Sequence, residues 1–192
     1  MIVPASPDEL TRYVLAAGES PNVDAKGPCA WEADDAAKLC KDIIAMANRR
    51  DGGVLVIGKS EPERGCFRFD GLTPQQQATF ETTRVAQWVN SRVSQPITIV
   101  CHRHEHDGKT FVVITVQEFN DVPIMCTSDC FAAPDRQKKL LRAGDVYVRT
   151  ENAETSTLQR PEDLRALIGL AVTKSLSHNL CGPQRDVRAG QV

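Results

Sequence analysis

Acidic side chains stand at three points of the chain where separate predicted strands could bring them together. Glu19 and Asp24 mark the beginning and the polar face of a short predicted strand, and Glu61 follows a buried one. Carboxylates are the hard oxygen ligands that Mg²⁺ and Mn²⁺ prefer. A metal held this way can activate water for phosphodiester cleavage. The alternative is that all three are solvated surface acids.

Cysteine and histidine side chains form a second candidate group. Cys101, His102 and His104 lie close together, and Cys126 and Cys130 follow with three residues between them. Thiolates and imidazoles are the ligands of structural Zn²⁺, so the group predicts a zinc site. His102 and His104 alternate along a strand, and the alternative is that they point to solvent.

Basic residues outnumber acidic ones by five to two between positions 135 and 149. The basic residues are Arg136, Lys138, Lys139, Arg142 and Arg149. Such a cluster can pair with a phosphate backbone without reading its sequence. The alternative is a solvated basic loop.

The segment from Gly53 to Ser60 matches the phosphate-binding loop pattern GxxxxGK[ST] in every letter. That chemistry requires a loop of small residues whose backbone N–H groups surround a phosphate. Val54–Ile57 is instead typical of a buried strand, and the following Glu61 and Glu63 would repel a triphosphate. We interpret the match as a coincidence, and a nucleotide-binding function depends on these letters alone.

Helices and strands that could position these groups follow one another along the chain. A capping box at Ser6, Pro7 and Glu9 begins a helix that stops at Gly18. Helical or strand periodicity, with turn signals between, predicts the later elements. These are a strand over 19–26, a helix over 31–49, a strand over 54–57, a helix from Thr73 to about Arg92, strands over 97–102 and 110–119, a strand over 146–150 and a helix over 161–174. This order predicts an α+β fold with a mixed sheet flanked by helices.

The composition is that of one globular domain. The chain has 192 residues, of which 41% are hydrophobic and 25% are charged. We expect the domain to span 1–174 and a flexible tail to span 175–192. The sequence shows no apolar run long enough to cross a membrane and no secretory signal, and its 7 cysteines favour reduced thiols in the cytoplasm. A net charge of −2 excludes a protein that is basic over its whole surface.

Four segments, Glu19–Lys26, Ala45–Asn48, Gly52–Gly58 and Tyr147–Arg149, together resemble the Schlafen/AlbA-type domain. Its opening Glu-Ser-x-x-x-(Glu/Asp)-x-Lys is matched from Glu19 to Lys26, and its helix ending Ala-Phe-Ala-Asn by Ala45-Met46-Ala47-Asn48. A Gly-Gly pair and an Ile-Gly strand follow at Gly52–Gly58. The closing aromatic-Val-Arg strand is Tyr147-Val148-Arg149, and the resemblance spans about residues 18 to 172. The match departs from the family by an aspartate at position 24 and by three residues between Asn48 and Gly52.

The resemblance implies a metal site and a zinc site. Schlafen RNases use three carboxylates, of which two map onto Glu19 and Asp24, and the third falls on Ser60 or Glu61 according to register. It implies Mg²⁺ or Mn²⁺ at these acids. A structural Zn²⁺ would be held by four of Cys101, His102, His104, Cys126 and Cys130.

The same resemblance implies a nucleic-acid-binding protein. The first hypothesis is a metal-dependent endoribonuclease that cuts structured RNA such as tRNA, with RNA favoured over DNA and a second copy supplying a second lobe. Phosphates would be positioned by Lys26, Lys59, Lys138, Lys139 and Arg149. The alternative is a non-catalytic nucleic-acid-binding module in transcription regulation or defence.

Overall fold

The computed structural model describes residues 5–16, 20–63, 65–133 and 137–180 of the chain. The helices are α1 Pro7–Leu15, α2 Ala33–Ala47, α3 Pro74–Thr79, α4 Thr82–Asn90 and α5 Pro161–Leu180. The strands are β1 Val23–Lys26, β2 Gly53–Ile57, β3 Lys59–Glu63, β4 Cys66–Phe69, β5 Ile99–His106, β6 Lys109–Val116, β7 Cys130–Phe131, β8 Lys139–Leu141, β9 Tyr147–Arg149 and β10 Thr155–Thr157. The predicted α+β class is confirmed.

Four strands form the central sheet, in the order β1-β2-β6-β5. β1 runs parallel to β2, whereas β6 pairs antiparallel with both β2 and β5. The sheet is therefore mixed, as predicted. Two-stranded ribbons are formed by β3 with β4, β7 with β8 and β9 with β10. The β5–β6 turn uses Asp107 and Gly108, both at positive φ, in agreement with the predicted Asp-Gly hairpin turn.

Strand β2 is buried on both faces, which explains its uninterrupted run of apolar residues. Leu55 and Ile57 belong to the larger core, together with α2, and we call this the α2-side core. Val54 and Val56 face the other way and pack with Leu10 and Val14 of α1; this is the α1-side core. The sheet therefore lies between helices on its two faces.

The capping box predicted at Ser6 is present, and a second one begins α3. At α1 the Ser6 hydroxyl accepts from the Glu9 N–H at 3.3 Å, and the Glu9 carboxylate accepts from the Ser6 N–H at 2.8 Å. Thr73 and Gln76 make the same reciprocal pair at α3. These local signals fixed the beginnings of the two helices correctly.

The ends of several elements differ from the prediction. The single helix expected over 73–92 is two helices, because Phe80 leaves the helical conformation and Glu81 caps α4 by accepting from Thr83 and Arg84 N–H groups. α1 ends at Leu15, three residues before the expected stop at Gly18, and α5 continues to Leu180 rather than ending at 174. The predicted tail over 175–192 lies outside the described residues from 181 onward.

The sequence did not predict the three short two-stranded ribbons. The β3–β4 hairpin is made from a polar stretch containing a proline, and its register shifts between Ser60 and Glu63. The β7–β8 ribbon lies between the strands predicted over 110–119 and 146–150, where no element was predicted, and β10 pairs with the predicted strand at Tyr147–Arg149. No helix within the described residues is long and apolar enough to cross a membrane.

Candidate functional site

Two side chains of β1 point toward helix α2. Asp24 pairs with Leu55 and Lys26 with Ile57 in a parallel register, and both β2 residues belong to the α2-side core. The Lys26 ammonium contacts the Asp24 carboxylate at 2.9 Å and the carboxylate of Asp42 on α2 at 3.1 Å. Lys26 therefore bridges the sheet edge and the helix.

Arg149 of β9 completes a closed ring with these groups. Its Nη1 donates to Asp24 Oδ2 at 3.2 Å and to Thr155 Oγ1 at 3.3 Å. The Thr155 hydroxyl in turn donates to Asp42 Oδ1 at 2.6 Å. Thr155 sits opposite Arg149 because β10 pairs antiparallel with β9 in that register. The ring joins β1, α2 and the β9–β10 ribbon.

The ring is largely removed from solvent. The side chains of Asp24 and Arg149 are each 2% exposed, and that of Lys26 is 35% exposed. Burial lowers the pKa of Lys26, but the neighbouring carboxylates of Asp42 and Asp24 outweigh it and raise the pKa above its usual value. Lys26 is therefore a cation at neutral pH.

A pocket of about 480 Å³ opens over this ring. Three carboxylates line it, those of Asp24, Asp42 and Glu154, against twice as many cations. The cations are Lys26, Lys38, Lys41, Lys138, Lys139 and Arg149. Asp24 and Asp42 are already paired with Lys26 and Arg149, so the outer part of the pocket is positively charged.

The rim lysines differ in how they are held. Lys38 pairs with Asp35 at 2.9 Å, and Lys139 pairs with Asp129 at 2.6 Å. Lys41 lies over the Tyr147 ring, with its ammonium 5.2 Å from the centroid. Within the described residues no acidic side chain forms an ion pair with Lys41 or Lys138. These two lysines are thus the cations best placed to meet an incoming anion.

Arg149 has donors that the protein leaves unused. Its Nε and Nη2 are buried and make no hydrogen bond within the described structure. A buried donor without a partner costs about 1–3 kcal/mol, and more when it is charged. An oxygen acceptor able to reach these two donors would remove this cost.

Four of the five predicted phosphate-binding residues line this pocket, namely Lys26, Lys138, Lys139 and Arg149. Lys59 does not. It is 2% exposed, and its ammonium donates to the carbonyls of Val14 and Ala16 at the end of α1. It also lies over the Phe67 ring at 4.3 Å. Lys59 therefore holds α1 against the hairpin, and Arg136 of the basic cluster lies outside the described residues.

The three predicted metal-binding carboxylates are placed differently from one another. Glu19 lies outside the described residues, and Asp24 is enclosed in the ring between two cations. Glu61 accepts a hydrogen bond from the Gly65 N–H. At the alternative third position, the Ser60 hydroxyl donates to Asp70 Oδ2 at 2.5 Å. Asp70 is thus a carboxylate near this position that the sequence interpretation did not include.

The five predicted zinc ligands do not come together. Cys101 packs against the α2-side core, whereas His102 and His104 face α1, because side chains alternate along β5. His104 contacts Thr11 of α1 at 3.1 Å. Burial raises the pKa of the Cys101 thiol to about 12.

Cys126 and Cys130, the other two predicted zinc ligands, lie with Cys101 on the α2 side of the sheet. Cys126 is buried in the α2-side core, and its thiol donates to the Ser128 carbonyl at 3.3 Å; Cys130 packs against the same core. In the part of the chain that the structure describes, no three His, Cys, Asp or Glu side chains form a group able to hold a metal ion.

Five charged or polar residues of the pocket were missed by the sequence interpretation: Lys38, Lys41, Asp42, Glu154 and Thr155. One signal was available for Asp42. It interrupts the apolar stripe of α2 between Cys40 and Ile43, and it is 7% exposed. A charged residue at such a position is rarely buried without a partner. Thr155 gave no signal, because β10 was not predicted.

The chain matches one protein-family model and is similar to solved structures. The family model described as "Schlafen, AlbA_2" matches residues 19–157. No curated protein matches the chain. Among solved structures, the chain is similar to the DIP2311 protein from Corynebacterium diphtheriae, with 19% identity, a TM-score of 0.48 and coverage of 81% of this chain and 27% of that one. It is also similar to the N-terminal domain of a RecG-related protein from Nitrosomonas europaea, with 21% identity, a TM-score of 0.44 and coverage of 73% and 92%. The chain thus spans about a quarter of the length of the Corynebacterium protein.

Proposed function

The chain belongs to the Schlafen AlbA_2 family, and from this membership and the pocket we propose that it binds the phosphate backbone of a nucleic acid. Structured RNA such as tRNA is the first ligand to consider, in line with the Schlafen resemblance. In this proposal the protein binds without requiring a metal ion. It is the non-catalytic binding module of the two functions that the sequence suggested.

The unused donors of Arg149 carry the proposal. A phosphate offers several oxygens that accept hydrogen bonds, and guanidinium groups match its geometry in a two-pronged contact. Nε and Nη2 of Arg149 are buried, and the Asp24–Nη1 contact holds the guanidinium in place. Lys41 and Lys138 on the rim would then contact the phosphates on either side. Contacts of this kind position a nucleic acid without reading its bases.

The described residues do not fit a Mg²⁺ or Mn²⁺ centre at Asp24. The Asp24 carboxylate lies 2.9 Å from the Lys26 ammonium and 3.2 Å from the Arg149 guanidinium. A divalent cation bound to the same carboxylate would be repelled by both charges in a poorly solvated setting. Asp24 therefore serves to orient Arg149 and Lys26 rather than to bind metal.

The metal-dependent endoribonuclease is the second candidate. Its support is the opening motif from Glu19 to Lys26, which lies inside the region matched by the family model. The two functions are separated by incubating the protein with total tRNA and Mn²⁺, with and without EDTA, beside a Glu19→Ala variant. The binding module leaves tRNA intact and shifts it on a gel in EDTA. Fragments that disappear with EDTA and with Glu19→Ala would instead establish the nuclease.

We expect the double variant Lys41→Glu/Lys138→Glu to bind tRNA about tenfold or more weakly than the native protein, since two phosphate contacts become repulsive. Fluorescence anisotropy with labelled tRNA in EDTA measures the change. The matched control is Arg84→Glu/Arg103→Glu, which alters the net charge equally on exposed residues outside the pocket. If both double variants lost affinity equally, the loss would come from net charge alone. That result would contradict phosphate binding at the pocket.

A further inference from the structure

Helix α5 exposes a row of large apolar side chains. Leu164, Ile168, Val172 and Leu176 are 45%, 53%, 52% and 58% exposed. The other side of the same helix is buried, since Leu167 and Leu170 belong to the α2-side core. A helix that is apolar on opposite sides is normally covered on both. Half of the large exposed hydrophobic side chains among the described residues lie in this row, which makes it a patch rather than a scatter.

The row lies outside the part of the chain that the family model matches. The match ends at residue 157, whereas α5 begins at Pro161. The core of the domain uses only the inner side of α5, through Leu167 and Leu170. The exposed row is therefore an addition to the matched domain, and the domain core leaves it uncovered.

The spacing and sizes of the row fit a second row of the same kind. Residues four apart form a ridge on a helix, and two such ridges interlock at a crossing angle of about −50°. Read from either end, the row has a leucine, two β-branched residues and a leucine. An antiparallel copy would place Leu164 beside the second copy's Leu176, and Ile168 beside the second copy's Val172. A two-fold contact of this kind is self-complementary.

Gly169 lies in the middle of the row along the chain, between Ile168 and Val172. A Cβ atom added at Gly169 would meet nothing within 4 Å, so packing within one copy does not require a glycine there. Glycine also weakens a helix interior relative to alanine. A second helix crossing at this point would use the space that the missing side chain leaves.

We propose that α5 pairs with α5 of a second copy of this chain to form a two-fold symmetric dimer. The contact centres on Ile168, Gly169 and Val172, and antiparallel helices place opposite ends of their dipoles together. One helix from each copy gives an interface below the standard size, so the dimer is weak and depends on protein concentration. The proposal is independent of the phosphate pocket, which is tested by RNA titration.

Sedimentation analysis of the full chain between about 1 and 100 µM tests the dimer, a range that brackets a weak association. We expect the mass to rise from 21.1 kDa toward twice that value as the concentration increases. Ile168→Asp is expected to stay monomeric over the whole range. The matched control is Ala166→Asp, which adds the same charge to an exposed position of α5 outside the row.

Circular dichroism melting confirms that the aspartate variants are folded, as expected for a side chain that is half exposed. A native chain that is monomeric at every concentration would overturn the proposal and assign the row to a different occupant. A dimer that forms equally well with Ile168→Asp would overturn it too, because the interface would lie elsewhere. Loss of the dimer with Ile168→Asp but not with Ala166→Asp supports it.

Discussion

Replacing Asp24 with alanine is expected to lower the free energy of unfolding by about 3–5 kcal/mol, the usual cost of leaving a buried charge without its partner. Asp24 and Arg149 are each 2% exposed and lie 3.2 Å apart. Among the described residues, Asp24 is the only acidic side chain that forms an ion pair with Arg149. Urea denaturation followed by circular dichroism gives the free energy directly.

A double-mutant cycle separates the ion pair from other effects of the alanine. Asp24→Ala/Arg149→Met removes both charges together, so we expect its loss of stability to be smaller than the sum of the two single losses. Glu63→Ala, at an exposed position, is the control and should change stability by less than about 0.5 kcal/mol. A loss below about 1 kcal/mol for Asp24→Ala would mean that the ring does not hold the site together.

Replacing Lys59 with methionine is expected to lower the free energy of unfolding by about 2–3 kcal/mol, because two hydrogen bonds from a charged donor are lost. The Lys59 ammonium donates to Val14 O at 3.0 Å and to Ala16 O at 2.5 Å. Burial lowers the pKa of Lys59, and the facing Glu61 opposes this only in part. Methionine keeps most of the length of the side chain, so the change mainly removes the cation.

Hydrogen exchange should locate this loss at α1, whose backbone amides we expect to lose protection before those of the sheet. The control is Lys109→Met. The Lys109 ammonium also donates to a backbone carbonyl, that of Phe69, but it does so at an exposed position. Loss of the Lys109 hydrogen bond should lower the free energy of unfolding far less than loss of the two Lys59 hydrogen bonds. If Lys59→Met proved as mild as Lys109→Met, Lys59 would not be what holds α1 in place, and a role for it in phosphate contact would be open again.

Local sequence signals identified much of the fold. The Ser6–Glu9 capping box, the apolar stripe of α2 and the apolar run of β2 each act within a few residues, and each was found from the sequence. The β3–β4 hairpin was missed because its stretch is polar and contains Pro62. Short ribbons of this kind are specified by the rest of the fold rather than by their own residues.

The ring at the pocket could be predicted only in part. Asp24, Lys26 and Arg149 were all selected as functional residues, but the sequence paired none of them. Arg149 and Asp24 are 125 positions apart, and a contact over that distance depends on how β9 docks against α2. For the same reason the two cationic neighbours of Asp24, Lys26 and Arg149, were not visible in the sequence.

The predicted zinc ligands show a different limit of prediction from the sequence. The strand predicted over 97–102 was too short, and β5 in fact continues to His106. Once residues 101 to 104 lie on one strand, their side chains alternate between its two faces. Cys101 then separates from His102 and His104 by geometry alone. The sequence interpretation already placed His102 and His104 along a strand, but it grouped them with Cys101 by residue type without applying the alternation between the two faces of that strand.

The most direct test of the phosphate pocket is the salt dependence of tRNA binding in EDTA for the native protein and for Lys41→Gln/Lys138→Gln. Each phosphate contact contributes about 0.7–0.9 to the slope of log K against log salt. We expect the double variant to lower the slope by about 1.4–1.8, with tRNA still bound and no gain in affinity when Mg²⁺ replaces EDTA. An unchanged slope, or binding that appears only with Mg²⁺, would contradict the account.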